Sequence, residues 1–334
     1  FTHSGWVHDL RLSQDGGRIT ALSANATAEA GDVLVDTLLP SLGNLHSHSF
    51  QRAMAGMTEV RAAGRDSFWT WRTLMYQFVE HLSPEQYQAI AALVFMEMQE
   101  AGYASVGEFH YVHHQPGGKR YDAVSELSQR VFAAASETGI GLTHLPVLYS
   151  YGGAGRTELN GGQLRFGNSV DQFSELVTQA REVAASSLPQ DAKVGIAPHS
   201  LRATCPEDLD KVLEIQAGNP VHIHISEQPK EVEDVQAWLG ARPVEWLLQN
   251  APVDQNWCLI HATHMTSTET RGMAKSGAVA GLCPITEANL GDGPSMALSI
   301  WPMAGPLGLG RIPMFGSRCP RNCEHWSIRS VCET

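Results

Sequence analysis

The chain has 334 residues, 43% of them apolar, enough for the core of one large α/β domain. A net charge of −12 excludes the basic surface that nucleic-acid backbones require, and a membrane span is excluded because no apolar run reaches the roughly 18 residues it needs. Phe1–Leu10 has neither the basic start nor the apolar centre of a signal peptide, and the six cysteines show no CxxC spacing among Cys205, Cys258 and Cys283, so a cytoplasmic chain with reduced thiols is expected. Histidine, at 15 residues, is the compositional anomaly, and it is the commonest metal ligand.

Short Gly-punctuated segments fill Phe1–Asp36, with Asp15–Gly17 as a turn, and predict a small β layer, a partial β-sandwich, over residues 1–40. From about residue 40, β-branched runs alternate with amphipathic stretches. Strands are predicted at Thr37–Leu45, Ser105–Val112, Gly141–Leu148, Lys193–Pro198, Pro220–Ile225, Trp257–His261 and Gly277–Cys283. Helices fall between them, among them Pro84–Glu100, Asp122–Thr138, Val170–Ser186 and Pro206–Gln216, several opened by Ser, Asp or Pro. The βαβα order predicts a parallel sheet in a (β/α)8 TIM-like barrel over residues 41–293, with seven strands before Gly293 and an eighth lost.

Polar residues end several of these apolar strands. Leu45-His46-Ser47-His48 closes the first, and side chains two apart share a strand face, so both imidazoles can point at one ion. Alone, H-x-H is equally two surface histidines. Val221-His222-Ile223-His224-Ile225-Ser226-Glu227 repeats the alternation with a carboxylate beyond it, and Leu259-Ile260-His261 adds another terminal histidine. An active site at the carboxyl end of a barrel has this signature. His222 reads as a structural histidine, and His113 and His114 as solvated loop residues.

These runs, with Phe50-Gln51-Arg52-Ala53 and Thr286-Glu287-Ala288-Asn289-Leu290-Gly291-Asp292-Gly293, resemble the formiminoglutamate deiminase family of the amidohydrolase superfamily over roughly residues 5–293. The resemblance implies one Zn2+ per chain, with iron or another divalent ion as the alternative, held by His46, His48 and His224 and by an aspartate after strand eight. Zinc would lower the pKa of bound water to about 7. Glu227 would carry a proton to the leaving nitrogen, and His261 would orient the water and take its proton. The substrate would be N-formimino-L-glutamate, an intermediate of histidine degradation. Its two carboxylates call for Arg72 and Arg202, with Gln51, Tyr111 and His199 as further contacts. Arg72, in Trp69-Thr70-Trp71-Arg72, also reads as a stacked surface residue. Asp292 precedes any eighth strand and is rejected as a ligand. The resemblance further implies a homodimer. The alternatives are a related deaminase acting on an aromatic base, and a non-enzymatic truncated product.

After Gly293 the resemblance stops, and residues 294–334 bring half the cysteines, many prolines and no helix or strand period. The genetic code explains the change. If the third base of each codon is read with the first two of the next, Gly310 through Phe315 permits Ser-Asp-Ser-His-Val, the strand-eight motif with the missing aspartate. Trp301–Pro302, Met303–Ala304 and Met314–Phe315 force Ala, Gly and Val in that frame. Residues 294–334 are therefore read as a frameshifted tail, in which Cys319, Cys323 and His325 mimic a zinc motif by accident. A naturally divergent tail is the other reading.

Overall fold

The computed structural model describes residues 2, 5–57, 68–293 and 307–309. Residues up to Leu42 and residues from Gly43 form two compact units. In the first, Arg11–Asp15 (β1) and Arg18–Ser23 (β2) pair antiparallel, with Asp15 opposite Arg18. The intervening Gly16 and Gly17 have φ of +56° and +78°, which a two-residue hairpin turn demands of both central residues.

The second unit alternates strands and helices. Its first half runs β3 (Leu42–Ser47), α1 (Phe68–Val79), α2 (Pro84–Glu100), β4 (Tyr103–His110), α3 (Glu126–Thr138), β5 (Gly141–Leu148), α4 (Val170–Ser187), β6 (Lys193–Val194) and β7 (Ala197–Pro198). The second half runs α5 (Pro206–Glu214), β8 (Val221–Ile225), α6 (Pro229–Leu239), α7 (Pro243–Asn250), β9 (Trp257–His261), α8 (Ser267–Ser276), β10 (Val279–Leu282), α9 (Pro284–Leu290) and β11 (Leu307–Leu309). Strand order is β3-β4-β5-β6, with β7 also on β5, and β8-β9-β10-β11. A parallel bridge between Ile196 and Val221 links the two runs. This is the predicted TIM-like α/β architecture.

Local chemistry sets the helix starts. Ser83, Ser169 and Thr266 each accept from the backbone N–H three residues on, while Gln86, Gln172 and Glu269 reach back, so α2, α4 and α8 all open on capping boxes. Along β8, Val221, Ile223 and Ile225 pack with Val235, Val244 and Leu247 of the flanking helices. His222 and His224 therefore take the opposite face. Among the described residues no helix is long and apolar enough to cross a membrane.

Three expectations shift. The first strand begins at Leu42 rather than Thr37, because Pro40 has no N–H to give to a ladder. The strand predicted at Lys193–Pro198 splits into β6 and β7 around Gly195 and Ile196. There the chain comes so close to β8 that a Cβ on Gly195 would lie 2.4 Å from the Pro220 carbonyl oxygen. The eighth strand, expected to be lost, has a three-residue counterpart: Leu307, Gly308 and Leu309 pair in parallel with Ala280, Gly281 and Leu282. Edge pairing needs only free backbone groups, and Leu-Gly-Leu contains no proline to deny them. The remainder of the frameshifted-tail reading lies outside the described residues.

Candidate metal centre and substrate pocket

Three imidazoles from two distant strands meet at the carboxyl end of the sheet. His46 Nε2 lies 3.1 Å from His48 Nε2 and 3.1 Å from His224 Nε2. His48 Nδ1 lies 2.9 Å from the Phe109 carbonyl oxygen, and His224 Nδ1 lies 3.2 Å from that of His199. A carbonyl oxygen only accepts, so both Nδ1 atoms carry the proton and both Nε2 atoms present bare lone pairs. Burial, followed by repulsion between the rings, holds His46 and His224 well below the ordinary imidazole pKa. Burial brings His48 down to about 3 against the bond to Phe109. Neutral, buried nitrogens facing one another are arranged for a divalent cation, and the donor set fits one.

Strained turns bring the acid–base groups alongside. Ser226, at the end of β8, has φ +52°, and the Glu231 carboxylate pins that turn by accepting from the Ser226 and Glu227 N–H groups at 3.1 and 3.0 Å. At the end of β9, His261 and Ala262 have φ of +69° and +48°, a backbone that non-glycine residues adopt only when held. The result sets His261 Nε2 3.5 Å from Glu227 Oε1. Burial opposes protonation of His261, but the Glu227 carboxylate foremost, with Cys283 and Glu287, holds its pKa well above the ordinary value.

A pocket opens over these groups and is lined by His48, His224, Glu227 and His261 together with Gln51, Arg72, Tyr111, His199 and Arg202. Every site residue predicted from the sequence thus borders one space, except His46, which lies buried against His48 and His224. Gln51 Nε2 donates to the Tyr111 hydroxyl at 2.7 Å. Arg72 is half-buried rather than a surface residue: its guanidinium lies over the Tyr76 ring, 5.2 Å from the centroid, and donates to the hydroxyls of Tyr76 and Tyr149, the latter at 2.9 Å. Arg202 is 5% exposed, and its Nε and Nη1 have no hydrogen-bond partner among the described residues. Burial opposes ionisation of the Tyr149 phenol, yet the two guanidiniums outweigh it and lower its pKa.

Tyr149, Tyr76, Phe166 and Thr286 also line the pocket and were missed in the sequence. Aromatics near strand ends look the same whether they face a core or a pocket. His113 and His114, expected in solvent, are buried, with Nε2 atoms 2.9 and 2.7 Å from the Val147 and Gly167 carbonyl oxygens. Their loop folds inward because the Arg165 carbonyl oxygen accepts from both backbone N–H groups. His222 is buried as a structural histidine would be, and burial lowers its pKa to about 4. Cys205, Cys258 and Cys283 are buried free thiols. Asp292 is not grouped with the three histidines; its carboxylate accepts from Gln228 Nε2, and burial followed by repulsion from Glu227 raises its pKa to about 7.

Residues 37–301 match the amidohydrolase family, and the chain belongs to that family. Within it, the chain is 50% identical over 314 residues to the formimidoylglutamate deiminase of Pseudomonas aeruginosa, across 92% of this chain and 67% of that protein. It is 46% identical to a crystallised amidohydrolase from Brucella melitensis, with a TM-score of 0.89 over 92% of this chain and 68% of that one. An atrazine chlorohydrolase from Arthrobacter aurescens, solved with zinc, shares the fold at 17% identity and a TM-score of 0.74, over 92% of this chain and 69% of that one. The chain spans about two thirds of the length of these relatives.

Proposed function

We propose that the chain is the barrel of a zinc-dependent formimidoylglutamate deiminase, which hydrolyses the C=N bond of N-formimino-L-glutamate to N-formyl-L-glutamate and ammonia. The observation that carries this reading is a single pocket making two opposite demands: bare imidazole nitrogens at one wall and a buried guanidinium edge without a partner at another. A cation answers the first. The second is answered by a carboxylate, since buried guanidinium donors without acceptors are costly until an anion meets them.

His46, His48 and His224 would hold the zinc, which supplies Lewis acidity and an acidified water. Among the described residues no carboxylate joins the trio, so the fourth ligand that the resemblance calls for has no described counterpart. Arg202 and Arg72 grip the substrate carboxylates, with Gln51, Tyr111 and His199 bordering the same space. His261 takes a proton from the attacking water, and Glu227 delivers one to the nitrogen that departs as ammonia. Histidine degradation, a cytoplasmic setting and a homodimer, which the family resemblance implies, complete the proposal.

The test is ammonia release by the zinc-loaded chain from formiminoglutamate, set against purine and pterin bases. Turnover of formiminoglutamate alone is expected. Preference for a base would move the assignment to an aromatic deaminase, and stoichiometric zinc without turnover would mark the chain as inactive.

A further inference from the structure

The Thr286-Glu287-Ala288-Asn289 run supplies a buried carboxylate that the reaction as proposed leaves unused. Glu287 lies in the first turn of α9, directly after β10. Its Oε1 accepts from the Cys283 backbone N–H at 2.9 Å, which fixes the carboxylate against the strand end. The same oxygen lies 3.4 Å from His261 Nδ1, while the other ring nitrogen, Nε2, faces Glu227 Oε1 at 3.5 Å. The His261 ring therefore bridges two carboxylates, one in the pocket and one behind it. Its backbone, at φ +69° beside an Ala262 at +48°, is held in a conformation that turns the ring into this slot.

From this geometry we infer that Glu287 is a positioning residue: by accepting the Nδ1–H hydrogen bond it fixes the rotation and tautomer of His261, so that Nε2 is the nitrogen left to work. The inference rests on the reading of His261 as the group that takes the water proton. His261 can do so only as the neutral ring, the form that a cation on the three neighbouring imidazoles favours against the pull of its carboxylates, and its single proton must then reside on Nδ1. Glu287 holds it there. The proton gained at Nε2 lies beside Glu227, which delivers a proton to the leaving nitrogen. No oxidant or further reactant is needed. Without Glu287 the ring is free to rotate, or to put its proton on Nε2 and block the exchange.

The Cys283 thiol also lies within reach of the ring, and His261, Cys283 and Glu287 bring ligand atoms within 4.8 Å of one another. A thiol is the weaker acceptor, so the carboxylate is assigned the role.

The test uses the full chain labelled with 15N-histidine, with the His261 resonances identified by their absence in His261→Gln. A slowly exchanging Nδ1–H proton is expected in the wild type, absent in Glu287→Ala, and present again in Glu287→Gln, whose amide oxygen still accepts. Zinc content should not change. In steady-state ammonia release, Glu287→Ala should lower kcat about 10–100-fold with KM little altered, the range found for partners that orient a reacting group, and Glu287→Gln should recover most of it. Persistence of the Nδ1–H resonance in Glu287→Ala, or its loss in Cys283→Ala, would overturn the inference. So would a second zinc equivalent that disappears with Glu287. If the wild type releases no ammonia from formiminoglutamate, the proposed activity fails, and the resonance still decides the role of Glu287.

Discussion

Two clusters of buried histidine share this barrel, and only one of them is built for a metal. His110 on β4 lies against His144 on β5 and the nearby His113, tilted to the first at a ring separation of 4.9 Å and edge-on to the second at 5.3 Å. Their nitrogen contacts run outward, to the Tyr87 hydroxyl at 3.1 Å, the Ser128 hydroxyl at 3.0 Å and the Val147 carbonyl oxygen at 2.9 Å. In the other cluster, backbone carbonyls take the Nδ1 protons of His48 and His224 and turn their Nε2 lone pairs toward His46. Burial lowers the pKa of all six rings. Burial and number therefore do not distinguish a ligand from a core residue; the direction of the second hydrogen bond does.

The sharpest way to break that contrast is to remove one ring from each cluster. His224→Ala should lose the bound zinc and all ammonia release, whereas His144→Ala should keep a full zinc equivalent; elemental analysis of the purified proteins decides. Equal loss from both would erase the distinction. Next in size, Glu227→Gln should retain zinc and lower kcat by about 10²–10⁴-fold, the usual worth of a positioned general acid–base group.

Arg202 extends the comparison to anions, because its guanidinium waits for a partner as the metal-side nitrogens do. Arg202→Met should weaken calorimetric binding of N-formyl-L-glutamate about 10–100-fold, as expected for charge-assisted hydrogen bonds worth about 1.5–3 kcal/mol. Its urea midpoint should change little, since two buried donors without acceptors are removed together with the charge. A fall in both would make Arg202 a structural residue.

The smallest expected effect belongs to the structural cluster. Burial lowers His144 to about 3 from an ordinary 6.5, so the unfolded chain takes up a proton that the folded chain refuses. Its contribution to stability is present above pH 6.5 and drains away as the pH falls toward 3. His144→Gln should flatten that acid limb in urea titrations of the metal-free protein, leaving the unfolding free energy near pH 7.5 within about 1–3 kcal/mol of wild type. An unchanged acid limb would contradict the assignment.

Much of the site was legible because two-residue periodicity and strand ends are written locally: His46, His48, His224 and His261 all stand where an apolar strand stops. The long helices were legible for the same reason, since α2 begins and ends at the residues predicted, Pro84 and Glu100. Tertiary approach was not. Nothing local announces that Gly195 lets β8 come close enough to split a strand, or that Arg165 draws His113 and His114 inward. Tyr149 was missed because its partners, Arg72 and Gln163, lie 77 and 14 residues away. The short helices α6, α7 and α9 were not singled out either; each opens on a proline after a strand or loop, a weak signal at that length.

The claim on which the rest depends is that His46, His48 and His224 converge on one cation. Zinc-edge X-ray absorption on the metal-loaded chain tests it most directly. The account predicts three imidazole nitrogens in the zinc shell at about 2.0–2.1 Å, reduced to two or to no bound metal in His224→Ala. A shell containing sulfur, or one unchanged by that substitution, would place the metal elsewhere and contradict it.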